Sequence, residues 1–204
     1  MIKNLIFGFG KVLVDYDFER FFRSYIPDES RLKALAHLLN TEKLQDELDR
    51  ESLPFDVIMD NLIRKYPDFE YEIQYFNTHY PELVTGEVVG MSELIQKLKK
   101  EGFNIYGLTN WCSKVYCTMR QFPIFNHLDG YVISSEVHYI KPEPEIYRHL
   151  LNTYNLKAEE CVFTDDKPVN IKGGRQLGIQ GIVFLNTAQY EKDLREIISS
   201  KSNL

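Results

Sequence analysis

Short apolar runs alternate with stretches whose apolar residues recur at helical spacing, first over the opening residues and again after about residue 88. Leu5 to Phe9, Asn104 to Thr109, Gly130 to Ser134, Glu160 to Thr164 and Gly181 to Leu185 are rich in Ile, Val, Phe and Tyr. That is the composition of strands buried on both faces of a parallel sheet. Between them, Met91 to Lys100, Ser113 to Gln121, Pro144 to Tyr154 and Val169 to Leu177 repeat apolar positions with helical period, as Leu94, Ile95 and Leu98 do. Gly102 and Gly178 stand where left-handed residues end helices. The alternation predicts an α/β fold: a doubly wound, Rossmann-like parallel sheet with helices on both faces.

Residues 18–83 break this alternation, because their apolar sets (Phe21, Phe22, Tyr25; Leu32, Leu35, Ala36, Leu39; Phe55, Ile58, Met59, Leu62; Phe69, Ile73, Phe76) are all helical and need no strand. Asp17, Asp28, Thr41 and Asp68 suit helix N-caps, and Pro54 suits a first helical turn. The pattern predicts a bundle of about four helices inserted after the first strand and rejoining the sheet near Thr85-Gly86-Glu87. The expected division is an α/β core of residues 1–16 and 87–204 with an inserted all-helical cap domain of residues 17–86. Lys97-Leu98-Lys99-Lys100 reads as a solvated face near a helix C-terminus, where cations are favoured.

Twenty-four basic residues against thirty acidic ones give a formal charge of −6 over 204 residues, with 44% hydrophobic and 26% charged. A chain of this size and composition buries roughly 70% of its unfolded surface in an ordinary globular core, which excludes disorder and a disulfide-stapled miniprotein. The acidic balance provides no electrostatic footprint for nucleic acid or an anionic membrane, so an anionic ligand must be met by a local site. Cys112, Cys117 and Cys161 lack C-x-x-C spacing and read as small, reduced core residues, not zinc ligands. The apolar stretch of Met1 to Gly8 is too short for a signal sequence, and nowhere do 18 apolar residues run together; the expectation is a cytoplasmic protein. His37, His79, His127, His138 and His149 show no metal-ligand spacing, and neither a G-x-G-x-x-G nor a G-x-x-x-x-G-K-[ST] loop occurs.

Ligands of open parallel sheets bind beyond the carboxyl ends of the strands, and four such ends carry informative residues. They are Gly8-Phe9-Gly10-Lys11-Val12-Leu13-Val14-Asp15, Gly107-Leu108-Thr109-Asn110-Trp111, Lys141-Pro142-Glu143-Pro144-Glu145-Ile146-Tyr147, and Phe163-Thr164-Asp165-Asp166 followed by Asn170. In this order, with a helical insert after the first, they resemble the haloacid dehalogenase (HAD)-like hydrolases, more narrowly the phosphatase-like members with a small helical cap. The resemblance covers essentially the whole chain. It implies Mg²⁺-dependent hydrolysis of a small phosphomonoester, such as a sugar phosphate, through an aspartyl-phosphate.

One position departs from the family pattern of hydrophobic run, Asp, x, then Asp or Gly. The nucleophile position is Gly8, which has neither nucleophile nor carboxylate. Loss of a covalent nucleophile costs on the order of a million-fold in turnover, so the resemblance implies an impaired hydrolase. Asp15 and Asp17 read as a contact at the domain seam and a helix cap.

The other implied site residues are present. Thr109 would donate its hydroxyl to phosphate, helped by the Asn110 amide, and Lys141, extended before a proline, would neutralise phosphate charge. Asp166 would bind Mg²⁺ directly, Asp165 directly or through water, and the Gly10 carbonyl would supply a third oxygen. The carboxylate missing at Gly8 implies a weakened metal site. Asn170 would order the Asp165 to Asn170 loop or cap the helix start. Trp111 reads as a wall of the substrate pocket beneath the insert, or as core packing. The alternatives are a non-catalytic phosphate or phosphometabolite binder and, among enzymes, a haloacid dehalogenase.

Overall fold

The computed structural model describes residues 1–23 and 25–202. Five strands, β1 (Asn4–Phe7), β4 (Asn104–Thr109), β5 (Gly130–Ile133), β6 (Cys161–Asp165) and β7 (Gln180–Val183), form one parallel sheet in the order β5-β4-β1-β6-β7. Alternate residues of β1 serve different cores: Leu5 and Phe7 join one apolar cluster and Ile6 the other. Helices α6 (Met91–Lys100) and α11 (Thr187–Ser202) contribute to the first cluster, and α9 (Pro144–Thr153) and α10 (Pro168–Arg175) to the second. The sheet is therefore doubly wound, as the period-2 and period-3.6 patterns require. The central strands β1 and β6 are buried throughout and the edge strands only in part. Of the helices, α11 carries no matching expectation from the sequence; its Tyr190 packs edge-on against Phe7 at 5.4 Å.

Helices α1 (Phe18–Arg23), α2 (Glu29–Leu39), α3 (Glu42–Arg50), α4 (Phe55–Lys65) and α5 (Glu70–His79) fill the insert. It is bracketed by β2 (Val14–Tyr16) and β3 (Val84–Glu87), which pair antiparallel. Its apolar faces, including Phe22, Leu35, Phe55 and Phe76, belong to the same cluster as Phe7 and Leu94, so one continuous core runs from the sheet into the insert. Each fully buried Leu, Ile or Phe contributes roughly 1.5–3 kcal/mol, and the shared core ties the two parts energetically.

The expected caps resolve individually. Asp17 accepts from Arg20 N at 2.9 Å and Asp28 from Arg31 N at 2.6 Å. Thr41 stands at the N-cap of α3 but turns its hydroxyl back to Leu38 O at 3.1 Å and caps nothing. Asp68 lies inside a 3-10 turn, and Pro54 is the N-cap residue of α4, one position before its first turn. Gly102 (φ 95°) and Gly178 (φ 87°) do adopt the left-handed conformation after α6 and α10. Cys112 and Cys161 are buried thiols, and Cys117 is half-buried.

Candidate functional site

The parallel register brings the carboxyl ends together. Phe7 pairs with Gly107 on one side and Thr164 on the other. One residue further, Gly8 donates its N–H to Thr164 O at 2.8 Å, at the level of Asp165. A Cβ built on Gly8 would lie 2.9 Å from Asp165 Oδ2 and 3.6 Å from Lys141 Nζ. Position 8 thus projects towards the Asp165 carboxylate and the Lys141 ammonium. Its φ lies outside the left-handed region, so any L residue fits its backbone, and what glycine leaves out is the side chain.

Lys141 and Asp165 meet there. Lys141 Nζ donates to Asp165 Oδ2 at 2.6 Å and to Leu108 O at 2.8 Å, with side-chain exposures of 4% and 3% for the two partners. A buried pair of this kind is tolerable only when the remaining polar atoms are satisfied. Asp165 Oδ1 accepts from Lys167 N at 2.9 Å and from Asn170 Nδ2 at 2.8 Å. Burial alone would push the Asp165 carboxyl up, but the Lys141 charge and these donors hold it below the usual carboxylate range. Asp166, half-buried beside it, is raised by burial first and by the Asp165 charge second.

Asn110 has a different geometry from the phosphate donor expected of it. Its Oδ1 accepts from Lys141 N at 2.7 Å and its Nδ2 donates to Lys141 O at 3.0 Å, so it clamps the lysine's backbone. Asn170 lies within α10 and orders the Asp165 loop through its side chain, while Lys167 takes the N-cap position.

Thr109, Asn110, Trp111, Lys141, Asp165, Asp166, Asn170 and Gly10 all line one cavity of about 640 Å³, part of it open to solvent. Trp111 is 6% exposed, lines the cavity, and donates from Nε1 to Tyr80 Oη at 2.9 Å beneath the insert. Asp15 pairs with Lys11 at 3.3 Å and, like Asp17, does not line the cavity.

The cavity is also lined by residues outside the strand-end phrases. Tyr16 arrives from β2, and a Cβ on Gly10 would lie 2.8 Å from its ring, so Gly10 permits this close approach. Its hydroxyl is pushed up to about 12 by burial and by the charges of Asp166 and Asp49, and remains protonated. Gln45 and Asp49 arrive from α3 and Lys167 from the loop after β6. Burial pushes the Asp49 carboxyl up to about 7, against the pull of Lys167 and Lys141. The usable signal was Leu44 and Leu48, buried and four apart, with a carboxylate at the next position.

A magnesium ion can be tested against this donor set. Among the described residues no group of three or more His, Cys, Asp or Glu side chains is placed to hold a metal. Both Asp165 oxygens are engaged, and position 8 has no carboxylate. What remains is the Asp166 carboxylate, with Gly10 on the same cavity wall. Mg²⁺ keeps several waters and is commonly held by one or two carboxylates with substrate phosphate, so this set fits a sparsely held, phosphate-bridged ion and not a closed protein cage.

Parallel β/α topology, with an aspartate pair and a buried lysine at converging strand ends, defines a doubly wound α/β domain with an inserted helical bundle and a charged cavity beside the strand ends. A family model of haloacid dehalogenase-like hydrolases matches residues 21–184, and the chain belongs to that family. The matched stretch begins beyond Gly8. The D-ribitol-5-phosphate phosphatase of Bacteroides thetaiotaomicron is 22% identical, with 98% of this chain and 100% of that protein covered. Mouse bifunctional epoxide hydrolase 2 is 34% identical over 51% of this chain, and the chain spans only 20% of its length. The chain likewise spans 44% of an Arabidopsis thaliana flavin mononucleotide hydrolase, at 29% identity. In fold, the chain is similar to a HAD family enzyme from Bacteroides thetaiotaomicron, solved as an aspartate-to-alanine mutant with magnesium and inorganic phosphate. That match has a TM-score of 0.75 at 19% identity and covers 91% of this chain and 95% of the other. Among the described residues no helix is long and apolar enough to cross a membrane.

Proposed function

We propose that this protein binds a small phosphomonoester through a phosphatase-type HAD site whose covalent hydrolytic step is closed at position 8. The observation that carries the reading is the placement of Gly8: a side chain there would project between Asp165 Oδ2 and Lys141 Nζ, and glycine brings no attacking oxygen to that point. The relative of nearly full-length coverage is a phosphatase of a polyol phosphate, D-ribitol-5-phosphate, which supports a small phosphorylated metabolite as ligand.

Lys141 supplies the positive charge for the phosphate. Its ammonium is already oriented by Leu108 O and Asp165, which spares the ligand the cost of ordering it. Thr109 ends β4 on the same wall and offers a hydroxyl donor. Asp165 and Asn110 act on Lys141, one at its ammonium and the other at its backbone, and Asn170 acts on Asp165. Asp166 and the Gly10 carbonyl are the groups that would hold Mg²⁺, which when bound would neutralise phosphate oxygen charge. With the position-8 carboxylate missing, Mg²⁺ binds weakly and is strengthened by phosphate. The helices of residues 17–86 act as the cap that covers the ligand.

The test compares the protein with its Gly8→Asp variant on an aryl phosphate, with Mg²⁺ and with EDTA, alongside calorimetric binding of inorganic phosphate. Phosphate binding by both, with Mg²⁺-dependent turnover only in the variant, is the expected result. Equal turnover in both would place the nucleophile elsewhere, and no phosphate binding in either would end the reading.

A further inference from the structure

The insert contributes two hydrogen-bond acceptors to the cavity, both from α3. Gln45 and Asp49 are four residues apart, so they occupy one face of the helix, and both line the cavity. Leu44 and Leu48 are buried and seat α3 in the apolar core. Gln45 Nε2 donates to Leu39 O at 2.5 Å, which leaves its amide oxygen as the group to offer a ligand. Among the described residues no donor is hydrogen-bonded to the Asp49 carboxylate. Asp49 lines the same cavity as Lys141 and Lys167.

Asp49 is held through its own carbonyl and through the side chains of the two residues that follow it. Ser134 Oγ donates to Asp49 O at 2.5 Å. Arg50 donates to Glu143 at 2.6 and 3.1 Å and to His138 O at 2.9 Å. Glu51 accepts from Ser113 N at 2.6 Å and from Ser113 Oγ at 2.8 Å. Three consecutive residues of the insert are thus pinned to the sheet side, and the middle contact reaches a residue two positions from Lys141. The acceptor pair is presented in fixed relation to the lysine.

Acceptors at that place call for donors on the ligand. A hydroxyl-bearing carbon chain supplies them, whereas a second anionic group would meet the Asp49 carboxylate, which is ionised above about pH 7. We propose that Asp49 and Gln45 are the specificity-determining pair of this site, accepting hydrogen bonds from the hydroxyls of a polyol phosphate and discriminating against phosphorylated acids. This inference rests on the phosphomonoester reading above.

The test is calorimetric titration of the intact chain at pH 8, where Asp49 is ionised, in Mg²⁺, with inorganic phosphate, glycerol 3-phosphate and 3-phosphoglycerate. The two esters have equal carbon number and end in an alcohol and a carboxylate. The wild-type protein should bind glycerol 3-phosphate about tenfold or more tightly than 3-phosphoglycerate, the scale of one charged hydrogen bond gained or lost. Asp49→Asn should bring the two affinities within about threefold, and Gln45→Leu should weaken the alcohol ester alone. Melting curves show which variants are folded, and either one suffices. Equal affinities in the wild type, or a ratio unmoved in a folded Asp49→Asn, would overturn the proposal while inorganic phosphate binding upheld the underlying site. Failure of inorganic phosphate to bind would overturn both.

Discussion

Lys141 and Asp165 form an ion pair of 2.6 Å with both side chains almost wholly withdrawn from water. Each comes from a different strand end, so the pair joins the β6 loop to the segment leading into α9. Every other polar atom of the pair that faces the protein is satisfied, by Leu108 O on one side and by Lys167 N and Asn170 on the other. Removal of one partner leaves an uncompensated buried charge, which is typically worth about 3–5 kcal/mol. Lys141→Met should therefore lower the urea unfolding free energy by about 3 kcal/mol or more and abolish phosphate binding. Asp165→Asn should destabilise on the same scale, since it leaves the buried ammonium without a counter-charge and turns an amide NH2 towards either Lys141 Nζ or the Lys167 and Asn170 donors. A Lys141→Met variant as stable as the wild type would show that the pair contributes no net stability.

Restoring an aspartate at position 8 places new atoms against Asp165. The Cβ contact of 2.9 Å to Asp165 Oδ2 is closer than real Cβ atoms approach, so the Asp165 carboxylate has to rotate. A third carboxylate then joins Asp165 and Asp166, and like charges at such range disfavour one another. Gly8→Asp should melt below the wild type without metal and regain much of the loss in millimolar Mg²⁺. Gly8→Ala carries the steric cost alone and should show no Mg²⁺ response. Melting temperatures with Mg²⁺ and with EDTA give both outcomes, and a Gly8→Asp variant indifferent to Mg²⁺ would rule out a cation site at these strand ends.

The sheet was legible because β1, β4 and β6 are buried on both faces and so read as uninterrupted apolar runs; Asn104 to Thr109 and Met91 to Lys100 have the bounds expected of them. Strand ends shifted by a residue or two where a polar residue continues the pairing, as Asp165 does in β6. The hairpin of Val14–Tyr16 with Val84–Glu87 was not legible, because strands of three and four residues pair across the whole insert and carry no local periodicity. Helix α3 is legible at its start, through Thr41, but not in its apolar period, because Leu44 and Leu48 are its buried apolar residues among mostly charged neighbours. The site divided along the same line. As candidates, Gly8, Thr109, Lys141, Asp165 and Asp166 stand in conspicuous phrases of the sequence, whereas Tyr16, Gln45 and Asp49 reach the cavity through β2 and the weakly patterned α3.

The Arg50 contacts make the seam between insert and sheet testable. Its guanidinium binds Glu143 through two nitrogens and reaches His138 O as well, and the hydrogen bond from Arg50 holds the Glu143 carboxyl below the usual range. Two-point arginine–carboxylate pairs are stronger than ordinary surface pairs, but this one is partly solvated, so Arg50→Ala should cost about 1–2 kcal/mol. Hydrogen exchange should quicken in α3 and around Ser134–His138 and remain unchanged in β1 and β6. Unchanged exchange in α3 would mean that the shared apolar core alone holds the insert.

Asp49 gives the stability a pH dependence that one substitution isolates. Its carboxyl titrates near 7 in the folded protein, against an ordinary 3.8, because burial disfavours the charged form. Between those values the unfolded chain has released the proton that the folded chain retains. Folding therefore binds a proton in this window, and stability falls as pH rises from about 4 to about 7, levelling off above the folded value. The full shift would correspond to about 4 kcal/mol, but a carboxyl on a solvent-connected cavity is screened, and about 1–2 kcal/mol is the expected share. Asp166, also raised, slopes in the same direction, and Asp165, held low, adds stability that is lost only in acid. Comparison with Asp49→Asn leaves those slopes in place and cancels them. The variant should match the wild type near pH 4 and exceed its unfolding free energy by about 1–2 kcal/mol at pH 7.5, measured by urea titration at each pH. A difference that stayed constant with pH would mean that Asp49 titrates alike in both states and that the cavity wall is as wet as bulk solvent.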